Sequence, residues 1–375
     1  MIIAVPKETH PGEKRVSFIA SSVDRLVKKG AQIIVEAGLG SAIGISDEEY
    51  KKAGATIESD RQKMLSKADM VLRLRKPSIE EIAWLKKNSV HISFLDPFNE
   101  KDLVNALTHQ GVSAISMEMI PRTTKAQKMD ALSSQANLAG YVMVILAAQR
   151  LPKIFPMLMT PAGTISPARV LIIGAGVAGL QAIATAKRLG ARVEAFDTRA
   201  VVKEQVQSLG AKFVEIDLGD TGQTTQGYAK ALTPEQLEKQ RQGMSKVCSQ
   251  SDVVITTAQL FGRKAPVVLT KEMITQMKPG SIVVDMAVES GGNVEGSKVN
   301  EDVVTANGVH ILGQGNLPGY AAVHASQMYS ANLHNLVEEY WDNGTKTFQL
   351  NLEDEIIKGC LVTYEGKIIN PLLTK

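Results

Sequence analysis

The chain has 375 residues, 44% of them hydrophobic and 22% charged, with 42 Lys+Arg against 39 Asp+Glu. At roughly 150 residues per domain that length suggests about two domains, and the balance excludes a disordered, collagenous or coiled-coil chain. A net charge of +3 and 5% aromatic residues leave too little basic and stacking surface for nucleic acid.

Two cysteines, Cys248 and Cys360, make no disulfide framework and read as free thiols in a reducing compartment. No stretch reaches the roughly 18–20 apolar residues of a membrane helix. The best, 141–148, stops at Gln149 and Arg150. The apolar run at the start is too short for a signal peptide. The expectation is a cytoplasmic chain with no direct membrane span, peripheral to a membrane only through a partner.

Taken in chain order, short β-rich runs at 1–5, 33–36, 70–75, 90–95 and 114–119 read as strands separated by helices. Ser78 and Glu81 form a capping-box pattern that opens a helix to about Lys87. Asn99 is placed to N-cap a helix to His109, with Gly111 after it. A glycine shortly before an apolar run recurs at Gly30, Gly111, Gly190, Gly210 and Gly308, each read as the left-handed residue that ends a helix before the next strand. The repeated junction predicts an α/β fold of two doubly wound, parallel-sheet, Rossmann-like domains.

The second unit begins near Pro167, with a strand at 169–173, a helix at 177–189, and strands at 192–196 and 212–216. A polar Gly/Thr/Gln-rich segment from 217 to about 243 is too long for an ordinary turn. Strands resume at 253–257, 281–285 and 309–312. The last helix, about 325–340, and the tail have no place in that pattern and are expected to pack back on the first unit. That predicts a discontinuous first domain, 1–132 plus 328–375, and a second domain, 140–325.

The strand at 169–173 runs directly into Gly174-Ala-Gly176-Val177-Ala-Gly179, a Gly-x-Gly-x-x-Gly pattern in its full context of strand, helix and second strand, with Asp197 at that strand's end about 20 residues on. Gly174 permits the tight turn, Gly176 lets the backbone approach a pyrophosphate, and Gly179 allows close packing. The N–H groups around Val177 point at the phosphates, assisted by the helix dipole. The Asp197 carboxylate suits both hydroxyls of an adenosine ribose and repels a 2′-phosphate, which favours NAD(H). Arg199 argues the other way, because arginine pairs with that phosphate. Ligands of such sheets lie at the carboxyl ends of the strands, which puts Gln259 and Leu260 beside the adenosine. The six histidines form no i,i+4 pair, so a metal site is not expected.

Pro6-Lys7-Glu8, Pro11 to Val16, Met129 to Tyr141 and the fingerprint to Leu189 resemble the alanine dehydrogenase/transhydrogenase superfamily over essentially the whole chain. The likeness is to its NAD(H)-binding branch in proton-translocating NAD(P) transhydrogenase, the soluble alpha-1 subunit of the split bacterial form. Pro121 to Asp130 is the most specific stretch, and resembles the loop by which that family holds the nicotinamide end. The resemblance implies a cofactor role for Arg122, Thr123, Thr124, Lys125 and Gln127. Positioning for the reaction falls to Arg122, Gln127, Asp130 and Ser133, with Ser133 also capping the following helix. Thr198 and Arg199 join Asp197 at the ribose, and Gly227 and Tyr228 belong to a mobile loop that closes on the nucleotide.

By the same resemblance, the Lys and His of the amino-acid enzymes fall here at Arg75 and Asp96, and Glu289 stands where those enzymes have Asp. Arginine does not deprotonate in a protein, and an exposed Asp is a poor base near neutral pH. Lys76 could stand in for Arg75 by a one-residue slip. Ring-to-ring hydride transfer needs no proton acceptor, only two rings at about 3–3.5 Å with water kept out. The implied activity is transhydrogenation (Si/Re-specific class) with NADP(H) on a partner beta subunit. A small membrane alpha-2 subunit, a homodimer and a place on the cytoplasmic face of the inner membrane complete the picture. An alanine-type dehydrogenase and a non-catalytic NAD(H)-binding regulatory module remain as alternatives.

Overall fold

The computed structural model describes residues 1–219, 221 and 232–374; Gly227 and Tyr228 lie outside the described residues. Two compact units divide the chain, Met1–Gln135 with Ala321–Lys375, and Ala136–Tyr320.

The first unit is built on an eight-stranded sheet in the order Lys367–Ile368, Leu361–Tyr364, Ser113–Ser116, Val90–Ser93, Met70–Leu72, Ile2–Val5, Gln32–Glu36 and Thr56–Glu58. The last six are parallel. Their buried, apolar runs suit a sheet covered on both faces. The tail does return to this unit, and it does so as a strand: Leu361–Tyr364 lies antiparallel on Ser113–Ser116 with a register shift. Thr363 closes that irregularity by donating its hydroxyl to the Val112 carbonyl at 2.7 Å and accepting the Ala114 N–H at 3.1 Å. The helix Ala322–Glu339 packs beside the sheet through Tyr329, Leu333, Leu336 and Val337. Its Ser326 and Ser330 hydroxyls accept the N–H groups of Val16 and Ile19.

The second unit carries a seven-stranded sheet in the order Lys212–Phe213, Arg192–Phe196, Arg169–Ile173, Val253–Thr256, Ile282–Asp285, His310–Leu312 and Asp302–Val304. All pairs are parallel except the last. The winding reverses between Arg169–Ile173 and Val253–Thr256, the switch point at which such sheets bind ligands. A core of Leu171, Ile173, Phe196, Val254, Val283 and Ile311 packs with Met244 and Cys248 of the helix Pro234–Gln250.

Several local expectations need correction. Gly30, Gly111, Gly190 and Gly210 take positive φ just after helices, but Gly308 turns between the antiparallel strands Asp302–Val304 and His310–Leu312. The helix Lys101–Gln110 is preceded by Glu100, not Asn99, and has no side-chain cap. The polar segment after 217 does not run to 243, because Thr233 and Gln236 form a capping box and Pro234 opens a helix. One helix among the described residues, Ala131–Arg150, is long and apolar enough to cross a membrane by length and composition. Its fifth residue, Gln135, accepts Arg15 Nη1 at 2.9 Å and donates to the Ala325 carbonyl at 3.0 Å, the bonds of a core helix.

Candidate functional site

The fingerprint loop closes over the end of its strand. Gly174, at φ +99, donates its N–H to the Phe196 carbonyl at 2.8 Å. A Cβ there would lie 2.5 Å from Thr257 Oγ1, which itself donates to the Gly174 carbonyl at 3.0 Å. Gly179 admits no side chain, since a Cβ would stand 1.9 Å from the Gly174 carbonyl oxygen. The close approach is therefore helix to turn. Gly176, the N-cap of the helix Val177–Arg188, differs: a Cβ there would meet nothing within 4 Å. Open space over a helix N-terminus, whose first N–H groups have no intrahelical partner, fits a pyrophosphate.

Asp197 is buried at the end of Arg192–Phe196. Its Oδ2 accepts the Ala175 N–H at 2.7 Å and its Oδ1 the Arg199 N–H at 2.8 Å, and Arg199 adds two side-chain bonds. The Thr198 carbonyl accepts the Thr221 hydroxyl at 2.5 Å. Across the switch point, Gln259 is exposed and Leu260 partly buried. Asn293, which sequence reasoning missed, holds that loop. Its side chain accepts the Ala258 N–H and donates to the carbonyls of Ala258 and Pro266, while its own N–H donates to buried Asp285. The signal in the sequence is weak, a lone Asn after Gly291-Gly292.

In the first unit the loop from Arg122 to Asp130 exposes Arg122, Thr124, Lys125 and Gln127, while Ala126 and Met129 anchor it in the core. Thr123 is partly buried, and its Oγ1 is buried without a hydrogen-bond partner. Lys125 pairs with Glu339 at 3.2 Å and Asp354 at 3.5 Å, and Lys128 with Glu339 at 2.7 Å. The Lys128 carbonyl accepts the side-chain amides of Asn332 and Asn335. The capping role expected of Ser133 belongs to Asp130, which accepts the Ser133 N–H at 2.8 Å and its hydroxyl at 2.6 Å. Ser133 is thereby fixed by Asp130, and Ser134 is tied to Asn332 at 2.7 Å.

The carboxyl ends of the first unit's strands carry the groups bearing on proton transfer. Arg75 donates Nε to Glu13 at 2.9 Å, and Lys76 pairs with Glu100. Asp96 is exposed at φ +52, with its N–H on Glu118. Glu8 accepts the N–H groups of Leu74 and Arg75. Burial raises the Glu8 carboxyl above its ordinary range, against the pull of Arg73 and those amides. Burial likewise raises Glu118. In the second unit, Glu289 accepts the Asn316 N–H at 2.9 Å.

Comparison with known proteins places this geometry. The family model described as alanine dehydrogenase/PNT, N-terminal domain, matches residues 4–139, and the C-terminal domain model matches residues 143–371. The chain is 46% identical to the first of the two pieces that make up NAD(P) transhydrogenase subunit alpha in Rhodospirillum rubrum, over 100% of this chain and 99% of that protein. A solved transhydrogenase from Sinorhizobium meliloti superposes with a TM-score of 0.88 at 41% identity, covering 98% of this chain and 100% of that one. A solved L-alanine dehydrogenase shares the fold, with a TM-score of 0.82 at 24% identity over 100% of this chain and 98% of its own.

Proposed function

The chain belongs to the alanine dehydrogenase/PNT family, and from that premise we propose that it is the NAD(H)-binding subunit of a proton-translocating NAD(P) transhydrogenase. Hydride passes directly between NAD(H) on this chain and NADP(H) on a partner beta subunit. A small membrane alpha-2 subunit and the beta subunit hold the chain, as a homodimer, on the cytoplasmic face of the inner membrane.

In this reading Gly174, Gly176, Val177 and Gly179 take the pyrophosphate, Asp197, Thr198 and Arg199 the adenosine ribose, and Gln259 and Leu260 the adenine side. Gly227 and Tyr228 close over the nucleotide. Arg122, Thr123, Thr124, Lys125 and Gln127 hold the nicotinamide end. NAD(H), when bound, supplies the hydride-carrying C4. The chain's own residues have positional work: Arg122 offers a planar donor fork and Gln127 both a donor and an acceptor. Asp130 sets Ser133 by the hydrogen bonds described above. Holding two rings in a near-attack arrangement with water excluded is the whole demand of such a transfer.

The observation that carries this reading is an intact fingerprint in a chain that presents Arg75, a group unable to give up a proton and already bound to Glu13. The test mixes the purified chain with an NADP(H)-binding beta subunit, NADPH and an oxidised NAD analogue. Hydride exchange is expected in the mixture and in neither component alone. Reduction of NAD+ with alanine by the chain alone would replace the proposal with an amino-acid dehydrogenase. Binding of NADH with neither activity would replace it with a regulatory module.

A further inference from the structure

Arg199 turns its guanidinium back on the carboxylate two residues before it. Oδ1 of Asp197 accepts the Arg199 N–H at 2.8 Å and its Nε at 2.9 Å. Oδ2 accepts Arg199 Nη2 at 2.8 Å and the Ala175 N–H at 2.7 Å. An ionised carboxylate offers about four acceptor positions, and these four donors fill them. The side chains are 14% and 5% exposed, so the pair is weakly screened.

We propose that this pair selects the coenzyme, with Arg199 as a latent ligand for a 2′-phosphate that Asp197 keeps sequestered. The inference rests on the reading that the fingerprint binds NAD(H). The two ribose hydroxyls of NAD(H) donate hydrogen bonds and compete with Arg199 for Asp197, an exchange of donors on one carboxylate. A 2′-phosphate has no proton to offer near neutral pH and meets the Asp197 charge. Asp197 also retains the guanidinium fork that would match two phosphate oxygens. Discrimination against NADP(H) then comes from two effects of one residue, repulsion and capture. This resolves the conflict between Asp197 and Arg199 in the sequence: both signals are real, and the first silences the second.

The experiment is calorimetric titration of the full chain with NADH, NADPH, 5′-AMP and adenosine 2′,5′-bisphosphate. The two nucleotide fragments probe the adenosine end without any demand on hydride transfer. Asp197→Asn keeps the shape and one oxygen for the Ala175 N–H, but presents an NH2 group that cannot hold Arg199. Affinity for NADPH and for the bisphosphate is expected to rise at least 10-fold in Asp197→Asn, while NADH weakens several-fold. Adding Arg199→Met is expected to erase the gain. Asp197→Ser, with its thermal midpoint, is the second variant should the Asn substitution disturb the loop. No gain in either folded variant, or a gain that survives Arg199→Met, overturns the latent-ligand assignment. Wild-type chain that binds neither NADH nor 5′-AMP would overturn the functional reading with it, whereas wild-type binding of NADH beside unresponsive variants sinks the selector alone.

Discussion

Glu13 grips two guanidinium groups at once. Oε1 accepts the N–H and Nε of Arg15, and Oε2 accepts Arg15 Nη2 at 2.6 Å and Arg75 Nε at 2.9 Å. The side chain is 0% exposed. Burial alone would raise its pKa, but the hydrogen bonds and charges of Arg15 and Arg75 outweigh it and hold the carboxyl at about 2. In the unfolded chain the group returns to an ordinary value near ~4.3. Its folded pKa is depressed, so its contribution to stability is complete above that unfolded value and is lost as pH falls toward 2. Glu13→Gln is expected to cost about 3–5 kcal/mol at pH 7, because it strands two buried or half-buried guanidinium groups. The difference from wild type should shrink steadily between about pH 4.5 and 2. Urea unfolding of both proteins across that range checks it, and a difference that stays constant with pH would show that the pair is not electrostatically coupled to folding. This cluster was illegible in the sequence because Arg75 lies 62 positions from Glu13. Asp197 was legible because a local motif fixes its place.

The helix Ala131–Arg150 shows how a single backbone contact links elements. Gly140 sits in its interior, where glycine costs about 1 kcal/mol against alanine. A Cβ there would stand 2.3 Å from the Ala178 carbonyl oxygen and 3.0 Å from Gln181 Cβ. The glycine lets this helix meet the backbone of the fingerprint helix Val177–Arg188 at its first turn. Gly140→Ala is therefore expected to destabilise by about 1–3 kcal/mol, the overpacking cost exceeding the propensity gain. It should also weaken NADH binding, since the displaced turn is the one proposed to meet the pyrophosphate. Thermal unfolding and NADH titration read the two effects, and a more stable variant would show that propensity wins. Strands and the fingerprint helix were readable because their apolar runs and glycine punctuation are local signals. Capping was less so. Asp130 and Ser133 both suit an N-cap, and only the three-dimensional start of the helix at Ala131 decides for Asp130. Gly308 has the same short spacing to an apolar run as the helix-ending glycines, and only the antiparallel pairing beyond it marks a turn. The strand Leu361–Tyr364 could not be assigned from sequence because its partner Ser113–Ser116 is remote in the chain.

At the scale of the whole molecule, the proposed homodimer has a candidate contact in an unusual hairpin. No charged residue occurs from 154 to 168. Within that stretch Leu158–Thr160 pairs antiparallel with Gly163–Ile165, and all six residues are exposed. A two-stranded ribbon alone is marginal in water, and this one forms a separate sheet. Leu158 lies opposite Ile165, whereas Met159, 72% exposed, points to the other face by the strand's alternation. Apolar side chains on both faces call for cover from two sides, which a flat contact does not provide. A two-fold dimer in which each copy clasps the other's hairpin satisfies both faces with one repeated interaction, and an uncharged contact suits a permanent rather than a transient pair. The wild-type chain is expected to sediment as a dimer at micromolar concentration. Met159→Asp combined with Ile165→Asp, which charges both faces while leaving the buried core untouched, should shift it to monomer without changing its circular dichroism. A double variant that stays dimeric would move the interface away from the hairpin, and the ribbon's cover would then have to come from a different subunit, testable by the same variant's failure to bind the beta subunit.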